Sequence, residues 1–338
     1  MSKYKTVAVV YGSESSEWEV SCRSGEFVAS RIDGGEYDIY EIFARFGKWA
    51  VVAAKKRNSM RVTFPEGAQP EVDKNDFSVQ ILGERIRFDF AYIVQHGAPG
   101  ETGQLEGYLE MLGIPFSTCD SSVCAIAFDK YACKCYIREQ NVVKCAPDVF
   151  VRHGMSWADV DAEVQRKLRF PVFVKPTQGG SSFGVTRVTR IEDLGAAIRY
   201  AFSENHTVLI EQGVSGRELT CAAYFDGEKV ATLPLIEIVT DNEYFDYDAK
   251  YNGHSEEVCP APVEETVREQ VQQTTRSIYT RLGCKGLVRM DYILAEDGLY
   301  FLEVNTIPGM TSASLVPRMI RTAGLDITAF LSTIIENN

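Results

Sequence analysis

Apolar residues run from Thr6 to Tyr11 and stop at Gly12, and after a polar loop they recur at helical spacing from Glu19 to Ile32. A second apolar run, Phe88 to Val94, gives way to Gln95-His96-Gly97, and a glycine-bearing loop leads into the helical pattern Leu105 to Leu112. Two strand, loop, helix openings predict a parallel α/β unit over the first ~115 residues, with ligand-facing loops at the carboxyl ends of its strands. Gly12 and His96 stand at two such ends. Between them, Lys48 to Glu84 offers few interpretable motifs.

A second section begins with a helix from Cys119 through Asp129 and Lys130. Strands follow near Val149 to Arg152 and Val172 to Lys175, and the glycine-rich stretch Gln178 to Gly184 interrupts the pattern. Strand-like runs at Val208 to Glu211, Glu218 to Phe225 and Val230 to Val239 lead into a polar, aromatic stretch, Asp241 to Glu257, which is too polar for a core strand and reads as a mobile lid. A long helix, Val263 to Leu282, a hairpin and two short helices complete the chain. The expected class is mixed α/β (α+β), in three sections at 1–118, 119–212 and 213–338.

The hairpin, residues 289–305, carries the most chemistry. Two alternating runs flank Ala295-Glu296-Asp297-Gly298. With the turn centred on Asp297, Asp291 faces Glu303 and Arg289 faces Asn305, their Cβ atoms about 4.5 to 5.5 Å apart. Alternation puts these four on one face and Met290, Tyr292, Leu302 and Val304 on the other. Two carboxylates and an amide oxygen so close suit a hard cation such as Mg²⁺ carrying nucleotide phosphates. A solvated face of salt bridges is the bland alternative. The tight loop Thr306 to Thr311 then enters a helical pattern at Ser312 to Leu315, and amides at a helix start favour a carboxylate.

Composition narrows the partners. Lys+Arg 35 against Asp+Glu 47 gives a net charge of -12, which repels a phosphodiester backbone and leaves no basic stripe for nucleic acid or anionic lipid. No apolar run approaches the roughly 20 residues of a membrane span, and the first residues lack the apolar region of a signal peptide, so a cytoplasmic protein with a small-molecule substrate is expected. The nine cysteines form no paired C-x-x-C set and read as reduced thiols.

Other residues extend the site. Lys175 ends a buried strand and precedes Gly179-Gly180-Ser181-Ser182-x-Gly184, where glycines admit phosphates to the backbone and Ser182 adds a donor. The order is not that of a Walker A loop. Glu211 ends one strand and Glu218 starts the next, a place where strand-edge amides can meet an adenine and a carboxylate the ribose hydroxyls; taken singly, both glutamates read as solvated surface charges. In the first loop, Glu14 and Glu17 would repel a pyrophosphate, whereas a carboxylate there suits an ammonium group or, equally, the positive end of the helix dipole.

In combination the chain resembles the D-alanyl-D-alanine ligase family over nearly its whole length. The resemblance rests on Glu17-x-Glu19-Val20-Ser21, His96-Gly97-x-x-Gly100-Glu101, Asp129-Lys130, Lys175-Pro176 with Gly180-Ser181-Ser182-x-Gly184, Lys250-Tyr251, Gly283 to Gly286 through Asp291, and Glu303-x-Asn305-x-x-Pro308-Gly309-Met310-Thr311. It implies an ATP-grasp fold: a Rossmann-like substrate-binding domain at 1–118, a central lobe with a phosphate-binding loop at 119–212, and a C-terminal domain with lid and metal site at 213–338. It also implies ATP as co-substrate, two Mg²⁺ ions on Asp291, Glu303 and Asn305 with Mn²⁺ as a possible substitute, and a homodimer.

Residue roles follow from the same resemblance. Lys130, Lys175, Ser182 and Lys250 contact phosphates, while Glu211 and Glu218 hold adenine and ribose. Glu17, grouped with Ser181 and Tyr251, holds the first substrate's ammonium; His96, Ser314 and Leu315 complete the substrate pockets, the last two on the second substrate's carboxylate. One D-alanine carboxylate then attacks the γ-phosphoryl group, and a second D-alanine's amine attacks the acyl phosphate with Arg289 and the Gly309 amide on the oxyanion, a precursor step of peptidoglycan synthesis. D-serine or D-lactate as second substrate, and a non-catalytic ATP-binding regulator, are the competing readings. Thr102, Trp18, Gln212 and Phe245 stand where Asp, Arg, Lys and Tyr are commoner in the family.

Overall fold

In the computed structural model the described residues are 2–180, 183–240 and 255–338. The first sheet is built around Thr6–Gly12, which pairs in parallel with Asp38–Arg45 on one side and Phe90–Ile93 on the other. Alternation along the central strand sends Val7, Val9 and Tyr11 to one core and Ala8 and Val10 to another, so both faces are covered. The chain leaves the central strand toward one neighbour and later returns on its other side. The loops after Gly12 and Ile93 therefore diverge around a crevice, the place where open α/β sheets take ligands.

Within the first sheet, only those three described strands are parallel. Lys48–Lys55 and Val62–Thr63 extend the sheet antiparallel, and a separate three-stranded sheet is formed by Val72–Asp73, Ser78–Ile81 and Glu84–Arg87. These short hairpins occupy the stretch that carried no readable pattern. The first section is accordingly a parallel core with an antiparallel extension.

The middle sheet has strand order Asp148–Arg152, Thr207–Gln212, Val172–Pro176, Thr186–Val188, and packs against helices Trp157–Lys167 and Ile191–Glu204. The third and largest sheet contains Arg217–Phe225 and the hairpin, and rests on the long helix Glu265–Leu282. Its expected run Val230 to Val239 is two strands, Val230–Thr232 and Ile236–Thr240, parted at Pro234, which has no N–H for a ladder. The helix expected through Asp129 is also two, Ser121–Phe128 and Lys130–Gln140. Asp129 is extended between them, and its Oδ1 accepts the amides of Tyr131 and Ala132, capping the second.

The last two helices, Leu315–Thr322 and Ile327–Glu336, lie in the core on one face of the first sheet, where Val316, Ile320, Phe330 and Ile334 meet Val7, Val9 and Tyr37. They tie the chain's end to its beginning. All nine cysteines are free thiols, and among the described residues no helix is long and apolar enough to cross a membrane.

Candidate active site

Leu287–Ala295 and Gly298–Asn305 pair antiparallel, with Arg289 opposite Asn305 and Asp291 opposite Glu303. The facing pairs are those expected, but the route differs. The turn closes on Ala295 opposite Gly298, so its centre falls between Glu296 and Asp297, and an extra residue at Leu302 restores the register before the site. That bulge changes which side chain is buried. Phe301, not Leu302, joins Met290, Tyr292 and Val304 in the core, and Leu302 lines the cleft instead.

Asp291 gathers the hydrogen bonds on this face. Arg289 donates Nε to Oδ1 and Nη2 to Oδ2, both at 2.9 Å, Asn305 Nδ2 donates to Oδ2 at 3.1 Å, and Thr220 Oγ1 donates to Oδ1 at 2.6 Å. Thr220, paired with Asp291 from the neighbouring strand, was not legible as a site residue. Burial works against the Arg289 charge, but Asp291 and Glu303 outweigh it and raise the guanidinium further. Among the described residues no group of three or more His, Cys, Asp or Glu is arranged to hold a metal ion. A hard cation on this face would therefore take Asp291, Glu303 and the amide oxygen of Asn305, a donor set that suits it.

The phosphate side meets the hairpin through Lys130. Its Nζ donates to the Gly179 carbonyl at 2.8 Å and lies 3.7 Å from Glu303 Oε2, joining the glycine-rich loop to the carboxylates. Lys175, at the end of its strand, is ion-paired with Glu211, whose other oxygen takes a 2.5 Å bond from Lys134. Burial pushes Glu211 up, and the two lysines outweigh it, holding the carboxyl below its ordinary range. Glu211 was expected as an acceptor for adenine or ribose. Its carboxylate is instead occupied by lysines, although the residue lines the cleft, as does Glu218.

At the other end, Glu17 precedes the helix Trp18–Arg31 and packs against the glycine-rich loop, where a Cβ on Gly180 would stand 2.2 Å from its Oε2. A side chain at position 180 would have to displace the Glu17 carboxylate. The loops after the two parallel strands are stitched together by Ser15 Oγ donating to the His96 carbonyl at 2.8 Å and by the Glu14 amide donating to the Ala98 carbonyl at 2.9 Å. His96 is buried, with Nδ1 3.0 Å from the Ile307 carbonyl and Nε2 3.2 Å from Ser24 Oγ, which accepts the Met310 amide. Burial lowers the His96 pKa, consistent with a neutral ring that donates from Nδ1 and accepts at Nε2. The imidazole thus braces the loop Ile307 to Met310.

Glu101 accepts the Gly97 amide at 2.7 Å, and desolvation followed by the Glu17 charge pushes its carboxyl up to about 8. It appears in the sequence motif but not among the expected site residues. Ser314 precedes the helix Leu315–Thr322 without capping it; its Oγ instead accepts the Thr311 amide at 3.0 Å, so the first amides of that helix have no side-chain cap.

All thirteen described residues expected in the site line one cleft of about 1030 Å³: Glu17, His96, Lys130, Lys175, Glu211, Glu218, Arg289, Asp291, Glu303, Asn305, Gly309, Ser314 and Leu315. Ser181, Ser182, Lys250 and Tyr251, with most of the expected lid, lie outside the described residues. Where Arg is frequent in the family, Trp18 carries the Arg45 guanidinium over its ring at 4.3 Å.

Residues 6–119 match the family model described as D-ala D-ala ligase N-terminus, and residues 142–336 match the D-ala D-ala ligase C-terminus. A D-alanine--D-alanine ligase of Phocaeicola vulgatus is 43% identical over 334 residues, covering 98% of this chain and 99% of that protein. Among solved structures, the VanG D-Ala:D-Ser ligase of Enterococcus faecalis superposes with a TM-score of 0.84 at 28% identity, covering 98% of each chain. The D-alanyl-alanine synthetase A of Vibrio cholerae gives a TM-score of 0.84 at 26% identity, covering 99% of this chain and 98% of that one.

Proposed function

The chain belongs to the D-alanine–D-alanine ligase family, whose members have the ATP-grasp fold, and from that premise we propose that its cleft joins two D-alanines through a D-alanyl phosphate at the expense of ATP. The observation that carries this reading is the convergence of all thirteen described candidate residues on one cleft. The substrate-binding section 1–118, the phosphate-binding section 119–212 and the metal-binding section 213–338 each contribute to it.

Glu17 holds the ammonium of the first D-alanine beside the glycine-rich loop. Lys130 and Lys175 hold ATP phosphates, and Glu218 with the strand edge at Glu211 receives the nucleoside. Asp291, Glu303 and Asn305 would hold Mg²⁺, two ions or Mn²⁺ in their place, which would offset charge on the phosphate oxygens. The first D-alanine's carboxylate attacks the γ-phosphorus, the bond to the β-phosphate oxygen breaks, and ADP leaves an acyl phosphate. The second D-alanine, its carboxylate at the uncapped helix start of Ser314 and Leu315, attacks the acyl carbon through its amine. Arg289 and the Gly309 amide receive the oxyanion, inorganic phosphate departs, and the peptide bond remains. His96 acts through the loop it braces. By the family resemblance, Ser182 and Lys250 contact the phosphates, Ser181 and Tyr251 act with Glu17 on the first substrate, and a lid carrying Lys250 and Tyr251 keeps water from the acyl phosphate. The protein is cytoplasmic and works as a homodimer.

Phosphate release measured with MgATP and a panel of D-amino and D-hydroxy acids, with products identified by mass, tests the reading. D-Alanine alone should support release and yield the dipeptide. Release that is absent with D-alanine, or present only when D-serine or D-lactate is added, would sink it.

A further inference from the structure

Lys134 is a fully buried lysine, 0% exposed, that the chemistry above does not use. An ammonium has three protons to place, and each has a partner here: Glu211 Oε1 at 2.5 Å, the Ala146 carbonyl at 3.2 Å and Asp148 Oδ2 at 3.3 Å. Asp148 in turn accepts Arg138 Nη2 at 2.5 Å, and the second oxygen of Glu211 meets Lys175. The result is a line of alternating charge, Arg138, Asp148, Lys134, Glu211, Lys175, running from a part-exposed edge to the cleft.

Three strands and one helix create the line. Asp148 and Glu211 are directly opposed in the middle sheet, and Glu211 opposes Phe173, which puts Lys175 on the diagonal from it. The helix Lys130–Gln140 supplies Lys134 and Arg138 one turn apart. The same helix carries Lys130 at its first position. The two lysines assigned to the phosphates are thus coupled to one helix, Lys130 directly and Lys175 through Glu211.

We propose that Lys134 is a positioning residue for nucleotide binding: by holding one oxygen of the buried Glu211 carboxylate, it leaves the Lys175 ammonium available to the nucleotide's phosphates. This rests on the assignment of Lys175 to the phosphates. With Lys175 as its only cation, Glu211 would close a buried ion pair at the cleft wall. Turning Lys175 toward a phosphate would then strand a buried carboxylate, the costly half of breaking such a pair. With Lys134 in place, Glu211 keeps a buried cation when Lys175 turns away. The positive charge at the cleft becomes usable without moving the carboxylate. A purely structural anchor would need only the Ala146 carbonyl and Asp148, yet the shortest contact of Lys134 is to Glu211.

The test uses the full chain and two probes, ATP and adenosine, in equilibrium binding. Lys134→Met should weaken ATP about ten- to a hundredfold while adenosine changes by less than about threefold. The loss should shrink as pH falls, because Glu211 deprived of Lys134 takes up a proton and releases Lys175; the unsubstituted protein supplies the reference for the nucleotide's own titration. Lys134→Met combined with Glu211→Gln removes the stranded charge, and should recover most of the ATP-to-adenosine preference without the added pH dependence. Should the single variant fail to fold, this double variant carries the test, and a preference as low as that of Lys175→Met overturns the proposal. Equal weakening of both probes in Lys134→Met, or an unchanged ATP affinity, also overturns it. Lys175→Met separates the two ideas: unchanged ATP binding there defeats the assignment of Lys175 itself, whereas weakened ATP binding there beside a normal Lys134→Met defeats only the role of Lys134.

Discussion

The hairpin face and the charged line behind Lys175 deliver groups to the same cleft, but they are built on different information. On the hairpin, parity decides everything: Arg289, Asp291, Glu303 and Asn305 share a face because strand side chains alternate, and the opposed pairs are 289 with 305 and 291 with 303. The line through Glu211 depends on four elements meeting, and no spacing in the sequence announces that Lys134 Nζ donates to Glu211 Oε1, 77 residues away, at 2.5 Å. Local geometry can be read ahead of the fold; pairing across elements cannot. The difference also bears on function, since the hairpin presents charge to the cleft while the line disposes of charge inside the protein.

The largest effect should come from the hairpin. Asp291→Asn keeps the size of the side chain but removes the carboxylate that receives Arg289, Thr220 and Asn305. If this face is a site, D-alanine-dependent phosphate release should fall about a thousandfold, on the order of 4 kcal/mol, with a much smaller change in Tm. A loss of stability with activity per folded molecule intact would return the face to an ordinary cluster of ion pairs and erase the contrast with Glu211.

Much of the fold was legible for the same reason as the hairpin. The two strand, loop, helix openings gave a parallel core with Glu17 and His96 at adjacent strand ends, because apolar runs ending at glycine are local signals. The strands between Lys48 and Arg87 were not readable, since they pair antiparallel at an edge and leave residues such as Arg85 and Arg87 exposed. Asp129 was hidden inside a helical pattern, although an aspartate before a helical run is itself a capping signal. Glu101 and Thr220 were missed because desolvation, and a hydroxyl aimed from the next strand, exist only after folding.

The bulge at Leu302 allows a second, smaller test of parity. Phe301 is fully buried between Tyr292 and the long helix's core, while Leu302 borders the cleft. Phe301→Ala should cost about 3 kcal/mol of unfolding free energy in a denaturant titration, and Leu302→Ala less than about 1 kcal/mol. A strictly alternating hairpin with its turn on Asp297 predicts the reverse order, so the two costs decide between the registers.

The smallest expected effect belongs to a buried carboxyl that, like the line through Glu211, left no trace in the sequence. Glu106 is fully buried on the helix Gln104–Leu112; Thr118 Oγ1 donates to its Oε1 at 3.1 Å and, among the described residues, its Oε2 has no hydrogen-bond partner. Glu211 has two lysines to keep it ionised. Glu106 has none, and burial pushes its carboxyl from 4.5 up to about 8. The sign follows from proton uptake: above the unfolded value the folded state holds the extra proton, so stability is fullest below 4.5 and is lost as pH rises through about 8. Between about pH 5 and pH 7 the loss should be on the order of 2 kcal/mol, and Glu106→Gln, which cannot ionise, should flatten that part of the stability profile and raise Tm most at the alkaline end. A slope unchanged by the substitution would mean that Glu106 is compensated as Glu211 is, and that the two buried glutamates differ less than their partners indicate.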